Sequence, residues 1–332
     1  MIKKELSPLK LSIIIPVYNV EPYVEKCLRS CAEQDIPCSD YEIIVVNDGT
    51  KDNSLAIIKR IAKEYSNIKF VSQENAGLSA ARNKGFSLAI GEYIWFVDSD
   101  DWIETNCLKK ITDSLYENHL VGLMICAADV VNGTPIKRHD YSKLKRDIYS
   151  GIELLKMNYW SPCVQFTIYK RDFIRENNLK FMEGIFHEDS EFTPRSYYFI
   201  KRIAIINDVI YFKFMNPCSI TRSVNHKKAF DCIKVAKSLS IFSQILPADL
   251  MYIYNKFISI NINNSLYNAY QMDIVTIRNL NTDLKKNKFI FKHLRQSTIV
   301  KYRLEGILFG IFPRHCVQIY KCMQLMNKNH YK

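Results

Sequence analysis

The sequence predicts an α/β protein: a doubly wound, mostly parallel sheet followed by a helical, basic C-terminal region. Three observations carry this. Short apolar runs alternate with amphipathic stretches through the first hundred residues, the pattern of parallel strands joined by crossover helices. Asn, Asp and Gly cluster after each run, at the strand ends where such sheets bind ligands. Beyond about Ala229 the spacing turns helical and basic residues dominate.

The elements follow in order. Leu11–Pro16 (LSIIIP) is a strand, and Pro22 falls just inside a helix running to about Gln34, where a first-turn proline is tolerated. Tyr41–Val46 (YEIIVV) is a second strand and Asn53–Tyr65 a second helix. Ile68–Ser72 is a third strand, followed by a helix over Leu78–Ile90. The fourth run, Ile94 to Val97, is bounded by Gly91 and reads as a strand buried on both faces. It ends abruptly in Asp98, Asp100 and Asp101.

Composition narrows the class. At 332 residues, 48% hydrophobic and 24% charged, the chain is globular rather than disordered. No signal pattern and no run of the ~20 apolar residues needed for a spanning helix is visible. Ten cysteines without paired short spacings argue against zinc or a disulfide framework, and a reduced, cytoplasmic setting is expected. The net charge of +12 is uneven: −4 over residues 1–120, +1 over 121–195 and +15 over 196–332. Such asymmetry suits an anionic lipid, a nucleic acid or a phosphorylated substrate. No nucleic-acid motif accompanies it, so no nucleic-acid partner is expected.

The three aspartates pose a charge problem, because buried carboxylates are costly without a partner. A hard divalent cation is one solution; a solvated turn with Asp101 as helix cap is the other. Neither GxGxxG nor GxxxxGK[ST] follows any strand, so the phosphate-cradling loops are absent. Side chains at the strand ends can still hold a nucleotide. Tyr18 offers a stacking face, Asp48 an acceptor for a base N–H, and Arg82 a donor fork.

SIIIPVYN (Ser12–Asn19), EIIVVNDGTKDNS (Glu42–Ser54), NAGLSAARNKG (Asn75–Gly85) and GEYIWFVDSDDW (Gly91–Trp102) together resemble family 2 glycosyltransferases, nucleotide-sugar-dependent enzymes of the GT-A fold. The resemblance covers residues 10–120 closely and 160–225 more loosely. It implies a GT-A catalytic domain over 1–225, with a nucleotide-sugar half (10–120) and an acceptor half (121–225), and a helical region over 226–332.

The same resemblance implies a uridine pocket from Pro16, Tyr18, Asp48 and Arg82, with Gly77 on the same rim and Asp98 near the ribose. It makes Asp100 the ligand of Mn2+ or Mg2+. In FMEGIFHEDSEF (Phe181–Phe192) it puts the catalytic base on Asp189, with Glu188 beside it, and the single carboxylate implies inversion. Otherwise these acids are ordinary residues at a helix start, where the dipole favours them. In NPCSITRSVNH (Asn216–His226), Ser219 and Arg222 match a loop over the donor diphosphate, and His226 is a further candidate metal ligand. One departure is Thr167, where the family often carries Lys before the element matched here by IYKR (Ile168–Arg171).

The expected activity is transfer from a UDP-sugar to a growing glycan or lipid-linked acceptor. A sugar nucleotidyltransferase would need a basic, glycine-rich first loop, which PVYNVEPY is not. An inactive nucleotide- or glycan-binding subunit would have damaged acids, and Asp48, Asp98, Asp100 and Asp189 are all present. An apolar stripe through GILFGIF (Gly306–Phe312), Val317, Tyr320 and Met323, beside Lys301, Arg303, Arg314 and Lys321, suggests an anionic membrane surface as partner and a peripheral place at the membrane's inner face; the alternative is that these helices pack on the catalytic domain and keep their charges in water.

Overall fold

Isoleucine at three successive positions, Ile13 to Ile15, leaves no polar face, and all three are fully buried. A strand of this kind belongs in the middle of a sheet covered on both sides. The computed structural model describes residues 9–138, 141–215 and 225–329. The chain divides into two units, Met1–Gly184 with Phe192–Pro217, and Ile185–Glu191 with Cys218–Lys332.

The first unit begins with strict alternation: β1 (Leu11–Val17), α1 (Val24–Ala32), β2 (Tyr41–Asn47), α2 (Ser54–Glu64), β3 (Ile68–Ser72), α3 (Leu78–Leu88) and β4 (Tyr93–Phe96). It continues through β5 (Trp102–Ile103), α4 (Leu108–Glu117), β6 (Gly122–Val131), β7 (Thr134–Lys137), β8 (Ile148–Tyr149), α5 (Gly151–Lys156), β9 (Thr167–Lys170) and α6 (Arg171–Glu176). Helix α7 (Glu188–Phe199) leads into β10 (Ile203–Phe214). The sheet order is β3-β2-β1-β4-β9-β6-β10-β5, with β7 on β6 and β8 on β10.

Strands β3, β2, β1 and β4 are parallel, as are β6 and β10. Strand β9 runs antiparallel between β4 and β6 and joins the two parallel blocks. The predicted sheet is therefore present, with a mixed second half. The first helix starts at Val24 rather than Pro22, because the N–H groups of Tyr23 and Val24 both turn back to the Val20 carbonyl.

Two details fix the sheet's geometry. Glu42 is buried in β2 within an otherwise apolar run. Burial alone would raise its carboxyl, yet Ser12 Oγ (2.7 Å), the Ile90 N–H (2.9 Å) and Lys69 Nζ (2.9 Å) outweigh that and hold it below its usual value. Helix α3 lies so close to β1 that a Cβ on Gly85 would sit 2.4 Å from Ile14 Cγ2.

The second unit is helical: α8 (His226–Phe242), α9 (Met251–Ala269), α10 (Ile274–Lys286), α11 (Phe291–Arg295), α12 (Val300–Ile311) and α13 (Cys316–Asn329). Its asparagines are structural. Asn255 Oδ1 and Ser240 Oγ grip the two ring nitrogens of the buried His293 at 2.6 and 2.7 Å, and Asn263 Nδ2 donates to Glu305 at 2.8 Å.

Burial pushes the His293 pKa down to about 4. A depressed histidine stays neutral in the fold while the unfolded chain takes up its proton below the ordinary 6.5. The His293 contribution is thus fully present above about pH 6.5 and is lost as pH drops towards 4, by about 3 kcal/mol. Because other groups titrate in the same window, the readout is the difference between thermal melts of the wild type and His293→Gln, which should move in the variant's favour as pH falls from 6.5 to 4.

Candidate functional site

The carboxyl ends of β1 to β4 supply the rim. Val17 closes β1, and its carbonyl accepts the Asp48 N–H at 2.9 Å, which sets the β1 and β2 loops side by side. Asn19 Oδ1 then accepts from Lys51 N (2.8 Å) and Thr50 Oγ1 (3.1 Å), and Asp52 Oδ2 from Glu21 N (2.8 Å). Pro16 is buried inside β1, whereas Tyr18 stands 40% exposed at the rim.

Asp48 is buried and strongly solvated by the protein. Its Oδ1 accepts from Gln73 Nε2 (2.8 Å) and the Ala76 N–H (2.9 Å), its Oδ2 from the Gly77 N–H (2.8 Å). Gly77 holds φ +90°, and a Cβ there would meet nothing within 4 Å. Conformation rather than space calls for glycine at this position.

Arg82, 1% exposed on α3, donates from Nη2 to Asp98 Oδ1 at 2.6 Å, with its guanidinium over the Phe181 ring at 5.3 Å. Gln165 Nε2 donates to Asp98 Oδ2, and its backbone carbonyl accepts from Trp95 Nε1 at 2.8 Å. Both oxygens of Asp98 are therefore held. Burial acts to raise this carboxyl, but Arg82, Lys213 and the bond from Gln165 outweigh it and keep it below the usual carboxylate range.

Asp101 is fixed as firmly: Tyr211 Oη donates to Oδ2 at 2.6 Å and the Phe214 N–H to Oδ1 at 2.8 Å. Tyr211 Oη also accepts the Asp98 N–H at 3.1 Å. No helix starts here; β5 follows, so Asp101 is a strut to β10 and not a helix cap. Burial, then the charges of Asp100 and Asp98, raise the Asp101 carboxyl well above its ordinary value.

Asp100 differs from both neighbours. No other residue donates to its carboxylate among the described hydrogen bonds, and burial followed by the Asp98 charge lifts its pKa to about 6. Ligand oxygens of Asp98, Asp100 and Asp101 lie within 4.8 Å of one another. Three hard oxygen donors with more negative charge than Arg82 and Lys213 offset fit a divalent cation. Of the three, Asp100 has the uncommitted lone pairs. A cavity of about 260 Å³ opens beside Asp100 and Asp101, walled by Tyr23, Lys26, Trp102 and Phe214.

The second unit holds the other predicted acids. Glu188 is buried and Asp189 partly so, both in the first turn of α7, with Asp189 Oδ1 accepting from the Ser190 N–H at 2.7 Å. His187, just before them, has φ +64°, uncommon for a residue with a Cβ, and burial lowers its pKa. This segment is tied to α8: the Phe186 N–H donates to Asp231 Oδ2 (3.0 Å), and Lys234 Nζ to Asp231 Oδ1 (2.8 Å). His226 is the exposed first residue of α8. Ser219 and Arg222 lie outside the described residues.

Sequence reasoning missed Gln165, Tyr211 and Lys213. A signal existed for the last two. Tyr and Lys two apart in an apolar strand share one face, and a lysine there implies an acidic neighbour.

The glycosyl transferase family 2 model matches residues 12–177. A glycosyltransferase of Bacillus subtilis, EpsJ, is 34% identical over 229 residues, 67% of this chain; the chain spans 65% of that relative's length. The glycosyltransferase YibD of Escherichia coli is 30% identical over 263 residues, 75% of each chain. Among solved structures, Staphylococcus aureus TarS 1–349 in complex with UDP-GlcNAc superposes with a TM-score of 0.76 at 22% identity, covering 94% of this chain and 92% of that one. That likeness shows the fold.

Proposed function

The chain belongs to glycosyl transferase family 2 and has its GT-A fold, and from that premise we propose an inverting, divalent-cation-dependent transfer from a UDP-sugar to a hydroxyl of a growing glycan. The glycan is a surface polysaccharide or a lipid-linked oligosaccharide, extended at the inner face of the membrane. The observation that carries this is the contrast among the aspartates: both oxygens of Asp98 and of Asp101 accept from protein donors, while no other residue donates to Asp100 among the described hydrogen bonds.

In this reading Tyr18 stacks on the uracil, Asp48 and Gly77 shape the base pocket behind Pro16, and the Arg82–Asp98 pair faces the ribose. Asp100 holds Mn2+ or Mg2+, with His226 as a second candidate ligand, and Ser219 and Arg222 contact the diphosphate. When bound, the cation offsets the charge that gathers on the departing diphosphate. Asp189, with Glu188 beside it, takes the proton of the acceptor hydroxyl as that oxygen bonds to the anomeric carbon. The bond from that carbon to the diphosphate oxygen breaks, UDP leaves, and one displacement inverts the centre.

A thermal-shift panel tests the donor class. UDP-sugars with Mn2+ should raise Tm by a few degrees, as ligand at about 100 times Kd stabilises by ~2.7 kcal/mol. GDP-sugars, or UDP-sugars with a chelator, should shift it far less. Equal shifts for GDP-sugars, or indifference to metal, would remove the donor or cation assignment. Release of UDP on turnover distinguishes the enzyme from an inactive binding subunit.

A further inference from the structure

Helix α12 (Val300–Ile311) packs by one face only. Glu305, Gly306 and Phe309 are fully buried or nearly so. A Cβ on Gly306 would sit 2.7 Å from the Arg295 backbone nitrogen, and the Phe309 ring lies 5.8 Å from that of Phe291. The opposite face carries Val300, Leu304, Ile307 and Ile311, which fall within about 60° of one another around the helix axis. With Phe312 just beyond, these side chains are between 49% and 62% exposed. Arg303 beside the stripe and Arg314 just past its end are also exposed.

The spacing predicts that Val317, Tyr320 and Met323 continue the apolar surface. Val317 and Tyr320 are buried and Met323 is half-buried, so among the described residues the outward stripe is carried by α12. None of the described helices is long and apolar enough to cross a bilayer.

We propose that the Val300–Leu304–Ile307–Ile311–Phe312 face of α12 docks in the interfacial region of an anionic lipid bilayer, with Arg303 and Arg314 on the lipid headgroups. A short helix with an apolar stripe outward and basic residues at its margin lies along an interface rather than through it. Charge favours lipid over a second copy of this chain. Arg303 and Arg314 both stand exposed at the margin of the stripe, so apposing two such faces would bring like charges together. The inference deepens the membrane-face part of the proposed function, yet it is read without nucleotide or turnover, so each can fail alone.

Co-sedimentation of the full chain with phosphatidylcholine vesicles containing about 30% phosphatidylglycerol, against phosphatidylcholine alone, is the test. Binding should require the anionic lipid and weaken with salt. Leu304→Asp with Ile307→Asp should bind at least about tenfold more weakly, since two apolar side chains no longer leave water. Arg303→Gln with Arg314→Gln should also lose about tenfold or more. Circular dichroism reports whether the variants fold. Independently of them, Ile311→Trp should be quenched by brominated acyl chains beyond the wild-type level. Wild-type protein that ignores anionic vesicles, binding that survives the double aspartate variant, or an unquenched Trp at 311 would overturn the proposal. So would a dimer that the double aspartate variant dissociates, which would make this face a contact between copies.

Discussion

Asp100→Asn is expected to lower glycosyl transfer by roughly a hundred- to a thousandfold, about what loss of one preorganised electrostatic group costs elsewhere. The reason lies in the neighbours. Asp98 is engaged by Arg82 and Gln165, and Asp101 by Tyr211 and the Phe214 N–H, so neither can take over without breaking a bond that fixes the loop. Asparagine keeps the shape and one oxygen but removes the charge. Donor binding measured by calorimetry should therefore lose its dependence on Mn2+, while the fold, monitored by thermal melting, should hold or gain slightly. A gain is reasonable because Asp100 is the acid whose pKa is lifted to about 6 by burial and by Asp98, an unfavourable charge that the substitution relieves. Unchanged metal dependence in this variant would move the cation elsewhere.

Asp189→Asn should separate chemistry from binding. The amide cannot accept the acceptor's proton, so turnover should fall by roughly a hundred- to ten-thousandfold, the usual contribution of a general base. UDP affinity should stay within about tenfold, a ~1.4 kcal/mol change at most. Asp189 is the second residue of α7, where losing its charge removes a helix-dipole contribution of only about 0.3–1 kcal/mol, so the fold should be little affected. Normal turnover by Asp189→Asn would take the base assignment away from this residue. An equal loss in UDP binding would make it a donor contact instead.

How much of this was legible follows from local versus distant causes. Strands β1, β2 and β4 could be read because each is a largely apolar run closed by polar residues, and burial on both faces is written into Ile13–Ile15 and Ile94–Val97; the short, more exposed β3 was read from its place between two helices. Strand β9 was not, because Thr167–Lys170 gives four residues with no alternation, and its antiparallel place between β4 and β6 depends on pairing partners far away. The acidic cluster was visible, but its division of labour was not. Gln165 is 67 residues from the Asp98 it holds, and Tyr211 is 110 from Asp101. Asp101 looked able to start a helix because only its own neighbours could be weighed; its bonds to β10 decide otherwise.

The missing Cβ at Gly85 also sets how far Arg82 can reach. Helix α3 rests on Ile14 at that residue with no side chain between. Arg82 lies three residues earlier on the same helical face. Position 85 thus acts as a datum from which the reach of the guanidinium to Asp98 is measured. A methyl group there would lift the helix by a fraction of its own radius and carry the arginine with it. Substitutions on the outer face of α3 would leave that distance alone.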